Sequence, residues 1–295
     1  MQLLLITRFT LQEALRRKLF LAVIILSALL MIAFIILLSI AINLLQSNNA
    51  TANGGTVSSQ LFLLSGGIFF DILMIWLVYL LASLLTIVLT ANMISGEIEA
   101  GTFAIIVPKS ISRAEIVIGK WLGYALIVMF YTALMFFAFL AIIYWKTGYW
   151  PEQAFSALGT LELAMLALLG LTTIGSAFVP TIVNGAIALV LFIGAPTASF
   201  VQFVVQAISQ GQSQALQNVS TVINLIMPTD ALWHGTSYFL LPSTQIFPLL
   251  GVSTENFNTP FTSTQPIATA LLIWVAFYIL ILPLLAVLRF QHRDL

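Results

Sequence analysis

The sequence predicts an all-α polytopic membrane protein with six transmembrane helices, and three observations carry that prediction. Of 295 residues, 61% are hydrophobic and only 7% charged, where a soluble domain carries about 25% charged residues. The apolar runs reach or exceed the ~20 residues that cross hydrocarbon as a helix, and they lack the strict alternation of a barrel strand. When these runs are threaded as spans with the N-terminus inside, nine of the ten Lys and Arg fall on one face, leaving only Lys146 outside. That is a strong positive-inside bias.

The elements follow in order. Residues 1–18 mix Leu4, Leu11 and Leu15 with Arg8, Arg16, Arg17 and Lys18, the pattern of a helix lying in the membrane interface. The first span covers 19–45. It outruns the ~7–15 residue core of a secretory signal, so a retained helix is expected although Ser39-Ile40-Ala41 loosely resembles a cleavage site. Gln46 to Gln60 is rich in Asn, Ser, Thr and Gly and reads as a flexible connector. The second span covers 69–94, the third 116–145, the fourth 154–178, the fifth 182–208 and the sixth 267–288. Pro180 favours a break between the fourth and fifth, and Pro196 a kink within the fifth. Tyr144, Trp145, Tyr149 and Trp150 gather where the third span meets the outer interface.

The outer segment 209–266 is too long for a structureless loop. Its apolar stretches Val219 to Met227 and Ala231 to Leu241 are too short to cross, and Pro228, Pro242, Pro248 and Pro260 punctuate it. Short extracellular re-entrant or interfacial helices are expected there. The whole of 1–295 reads as one transmembrane domain.

Composition removes several functions. Zero formal net charge argues against a nucleic-acid partner. With no Cys, disulfides, thiolate metal sites and a Cys nucleophile are excluded, and His234 and His292 stand too far apart to suggest a metal. The pair Gly119-Lys120 lacks the upstream glycine of a phosphate-binding loop, so the chain is not expected to hydrolyse ATP by itself. Neither a serine nor an aspartyl intramembrane protease constellation is present. Glu162 is the one acid well inside a span, a candidate for the pathway or for a wet outer vestibule, while Asp71 reads as an interfacial residue.

The densest polar stretch lies between the second and third spans, where Glu97, Glu99, Lys109, Arg113, Glu115 and Lys120 require a water-facing surface. Ile94, Ile98, Ile105 and Ile106 fall near helical spacing, so a short amphipathic helix across the membrane face is expected. The run Glu97-Ile98-Glu99-Ala100-Gly101-Thr102, followed by Pro108, Ser112-Arg113 and Gly119-Lys120, resembles the hinge of ABC-2 type permeases, the membrane subunits of a class of ABC exporters. The order of spans resembles that family as well, and Met227-Pro228-Thr229-Asp230 is similar to a turn before the last span in some members.

The resemblance implies a coupling segment over 96–113, with Glu97, Glu99, Gly101, Thr102, Pro108, Arg113 and Lys120 as its residues of contact with an ATPase subunit. It also implies ATP and magnesium bound in that partner and none in this chain, and a dimer with a second permease copy or paralogue. Surrounding lipids and a bacterial or archaeal plasma membrane complete the expectation, with both termini cytoplasmic. Gly101 suits a sharp backbone change and Pro108 the turn towards the third span. The acids have a second use open to them, pairing with Arg113 or Lys120 of the same hinge. A stand-alone secondary transporter or channel is the rival reading, and it calls for a midplane polar site or paired broken helices.

Topology is directly testable. Reporters fused after Lys109 and after Leu295 should be cytoplasmic, and reporters within 48–58 or near Glu255 external. An external signal from the 96–113 segment would reverse the orientation.

Overall fold

The computed structural model describes residues 2–51, 56–99, 112–209, 214–240, 262–263 and 265–292. Within them the chain is helical, and six helices are long and apolar enough to cross a membrane. The elements are α1 (Gln2–Leu15), α2 (Lys18–Thr51), α3 (Thr56–Thr90), the short α4 (Ser95–Glu99) and α5 (Arg113–Thr147). Then come α6 (Ala154–Phe178), α7 (Thr181–Ser209), α8 (Gln214–Ile226), α9 (Thr229–Leu240) and α10 (Thr269–Gln291).

The core lies among α3, α5 and α6, with α2 and α10 packed on its flanks and α7 on one side. Phe34 of α2 meets Phe70 and Phe139 edge-on at 5.9 and 5.1 Å, a favourable geometry for the ring quadrupoles. Several inward-turned hydroxyls are satisfied locally. Ser27 bonds the Val23 carbonyl and Tyr131, and Thr90 bonds Thr172 at 2.6 Å. Large aliphatic side chains such as Leu29, Ile32 and Ile36 of α2 face outward, as befits a solvent of acyl chains.

Local chemistry sets the ends of α5. Ser112 and Glu115 form a reciprocal capping box at its start, and Gly148 at φ 71° closes its other end by donating to the Tyr144 carbonyl. Val179 and Pro180 separate α6 from α7, because Pro180 cannot donate the bond that would continue the ladder.

One expectation is corrected. Gln46 to Gln60 is not a flexible connector over its described parts, since α2 runs on to Thr51 and α3 starts at Thr56. Adding a residue to a helix already formed is easy even for polar side chains. Asp71, expected at the outer end of the second span, is covered by neighbouring helices. It lies fifteen residues into α3 and is only 1% exposed.

The N-terminal helix is fixed by close approach to α5. A Cβ added at Gly119 would stand 2.9 Å from Ile6, and one at Gly123 would stand 2.9 Å from Thr10. Thr7 donates to the Gly119 carbonyl at 3.1 Å across the same contact. Leu4, Leu5 and Phe9 lie on the opposite, exposed side of α1. Gly123→Val should therefore destabilise the protein by about 1–3 kcal/mol through overpacking. Gly159→Ala, with open space around it, should be neutral or gain up to about 1 kcal/mol of helix propensity. Melting temperatures in detergent compare the two, and an unchanged Gly123→Val would contradict the contact.

Candidate functional site

The helical path of α3 breaks over Ala91–Ile94 before resuming as α4. At the break the Met93 N–H donates to Thr90, three residues back, at 3.0 Å, tightening the ladder. Carbonyl groups along the break accept side-chain donors from three other parts of the fold. Arg17, at the corner between α1 and α2, reaches the Leu89 carbonyl at 3.5 Å and the Asn92 side chain at 2.6 Å. Asn184 of α7 donates to the Ala91 carbonyl at 3.0 Å and to Thr172 of α6 at 2.9 Å. Lys120 of α5 donates to the Met93 carbonyl at 3.2 Å and pairs with Glu97. A backbone break inside a membrane protein must be satisfied by protein groups, and these three side chains do that work.

Beyond the break, α4 is tied to the start of α7. Ser95 and Thr181 share a hydrogen bond of 2.9 Å, and the Glu99 carboxylate accepts the Thr181 backbone N–H at 3.0 Å. A carboxylate there satisfies a free donor of α7 and meets the positive end of its dipole. On the far side of the polar segment, Arg113 donates to the carbonyls of Phe290 and Gln291 at 3.0 and 3.2 Å, capping the C-terminal end of α10. The two ends of the 96–113 stretch are thus fastened to opposite kinds of helix terminus.

The structure brings Glu97 and Lys120 together and places Glu99 and Arg113 apart, each on its own helix end. Gly101, Thr102, Pro108 and Lys109, with most of the expected amphipathic helix, lie outside the described residues. Lys120 corrects the expectation of a water-facing charge: it is 7% exposed, because its neighbour Gly119 lets α1 cover α5 and its ammonium is turned to the break. Arg17 and Asn184 escaped sequence reasoning, since a basic flank and a lone amide inside a span have many ordinary uses.

A second polar region lies at the other end of the bundle. α9 packs on α6, with Thr236 bonded to Thr160 at 2.9 Å and the Leu240 carbonyl accepting from Tyr149 at 3.0 Å. Burial raises the pKa of Tyr149, so its hydroxyl stays a neutral donor. Glu162 is 8% exposed, with one carboxylate oxygen unpartnered. Glu162, expected in the pathway or an outer vestibule, is thus held between packed helices of this chain. Asp230, at the start of α9, is 1% exposed and accepts from Ser199 of α7 at 2.5 Å.

The Lys120 contacts make a clear prediction. Lys120→Met keeps the apolar stem but strands the Met93 carbonyl and Glu97, and should destabilise by about 1–3 kcal/mol, the cost of unsatisfied buried groups. Lys120→Arg should recover part of the loss. Hydrogen exchange of the 91–99 amides in nanodiscs should accelerate in the Met variant, and unchanged protection would contradict this role.

Six apolar helices, a broken second span rooted in charge and a polar segment between α4 and α5 define the architecture to be compared. No curated protein matches the chain. The family model for the ABC-2 family transporter protein matches residues 5–295. That match spans nearly the whole chain, which is therefore a member of the ABC-2 transporter family: an integral membrane permease.

Proposed function

We propose that this permease is the membrane half of an ATP-driven exporter and is coupled through residues 96–113 to a separate ATPase subunit, which binds ATP and magnesium. The observation that supports this most is the pair of anchors at the ends of that stretch, Glu99 on the start of α7 and Arg113 on the end of α10. A force applied to a segment so fastened is passed to two spans at once. In this reading Gly101, Thr102 and Pro108 shape the surface that meets the ATPase, while Glu97 and Lys120 brace it from within. Two permease copies, with both termini cytoplasmic, would enclose the path.

A stand-alone secondary transporter is favoured by one observation, the buried acid Asp230 between packed helices. ATP dependence separates the two readings. The isolated chain in nanodiscs should show no ATP turnover, and turnover should appear when a nucleotide-binding subunit is co-purified. Turnover by the permease alone, or failure of any such subunit to associate, contradicts the proposal.

Charge reversal separates docking from bracing. Glu97→Lys should lower ATPase recovery several-fold by placing two cations together. Adding Lys120→Glu should restore recovery, because the pair is reformed with its sense exchanged. Persistent loss in the double variant would mean that Glu97 itself touches the ATPase.

A further inference from the structure

Helix α1 has two faces, and the packing of the bundle accounts for one of them. Thr10 and Ala14 are buried, and Ile6 and Thr10 fill the places that Gly119 and Gly123 leave open on α5. The other face carries Leu4 at 73% and Phe9 at 63% exposure, with Leu5 and Leu15 also exposed. Arg8 and Arg16 are exposed on that side, and an exposed Lys18 follows at the start of α2. At about 100° per residue the two arginines are about 80° apart, and each of the four apolar side chains falls within about 40° of one of them.

The charge of this face is not balanced from within. Glu13 is the one acid of α1, and Arg17 already holds it at 2.6 Å. Arg17 itself turns to the Leu89 carbonyl and to Asn92. None of Arg8, Arg16 and Lys18 forms an ion pair among the described residues. Three uncompensated cations therefore stand beside large apolar side chains. Water suits the charges and not the apolar groups, and hydrocarbon does the reverse. The boundary of a bilayer serves both, because acyl chains take the apolar groups while long basic side chains reach the phosphate oxygens.

Position makes the bilayer the neighbour of this face. The first span begins at Lys18, just beyond Arg16. Arg8 lies about 12 Å further back along α1 at 1.5 Å per residue, so the cations are spread along a surface and not gathered on a single ion. Basic residues clustered beside a span attract anionic headgroups, about fivefold for each Lys or Arg near the surface. A protein partner would need acids matched to this spacing, and it would have to displace lipid from residues next to the span.

We propose that the exposed face of α1, with Lys18, docks on anionic phospholipid of the leaflet that it borders. Arg8, Arg16 and Lys18 take the phosphates, and Leu4, Leu5 and Phe9 enter the acyl boundary. The chain has no Cys, so Gln12→Cys, exposed between the two arginines, accepts a single bimane label. Phosphatidylcholine nanodiscs then receive dibromostearoyl phosphatidylglycerol or dibromostearoyl phosphatidylcholine at equal mole fraction, and quenching by the two is compared. The labelled permease should favour the phosphatidylglycerol about fivefold or more, and the preference should fall as salt is raised. Arg8→Gln, well before the span, should lower the preference severalfold and leave insertion intact. Adding Arg16→Gln and Lys18→Gln should bring the two lipids to parity, whereas Arg289→Gln, at the end of α10, should change nothing. Equal quenching by the two headgroups overturns the proposal, as does a preference that survives the triple substitution or is lost equally with Arg289→Gln. Weak quenching by both, with the label shielded only when a nucleotide-binding subunit is added, assigns the face to a protein partner and overturns it too. Failure of any ATPase to associate, measured separately, bears on the coupling reading and leaves this one standing.

Discussion

The break at Ala91–Ile94 is the constraint from which the polar end of this protein follows. Carbonyl groups freed where a packed helix is interrupted need donors from the rest of the protein. Arg17, Asn184 and Lys120 supply them from the α1–α2 corner, α7 and α5. Each donor requires its own element to lie close, and other features of the fold make that approach possible. Gly119 and Gly123 let α1 settle on α5. Pro180 starts α7 beside α4, where Ser95 and Glu99 take hold of Thr181. A small fault in one helix thereby orders four others.

The opposite end uses the same rule with a different result. There the hairpin of α8 and α9 descends among the spans, and most of its backbone is satisfied within its own helices or by Tyr149, Trp274 and Tyr278. At the first region the unmatched groups of the backbone are met by long cationic or amide side chains. At the second, one Asp230 oxygen and the Trp233 indole N–H are buried without a hydrogen-bond partner.

Much of the architecture was legible because hydrocarbon imposes length and polarity on every span. The positive-inside bias, the apolar runs and Pro180 needed only counting. Lys120 was misplaced because a charge next to a polar hinge reads as solvated, and only the packing of α1 over Gly119 shows that it is covered. The start of α3 was misplaced because the helix reaches back to Thr56 through residues whose polarity suggested a loop. Asp230 was read only as part of a turn, because its segment is too short to cross and its burial comes from the packing of α9 on α6 rather than from the local sequence. Arg17 and Asn184 act through carbonyl groups distant in sequence, a pairing that single-chain patterns do not encode.

The central claim is that the segment leaving this break is the place where an ATPase pulls on the membrane domain. A photo-crosslinking amino acid at Lys109, compared with one at Asn218, an exposed position of α8, tests it in the assembled complex. The account predicts an adduct with the nucleotide-binding subunit from position 109 and none from 218. An adduct from 218, or none from 109 in a complex that hydrolyses ATP, would contradict it.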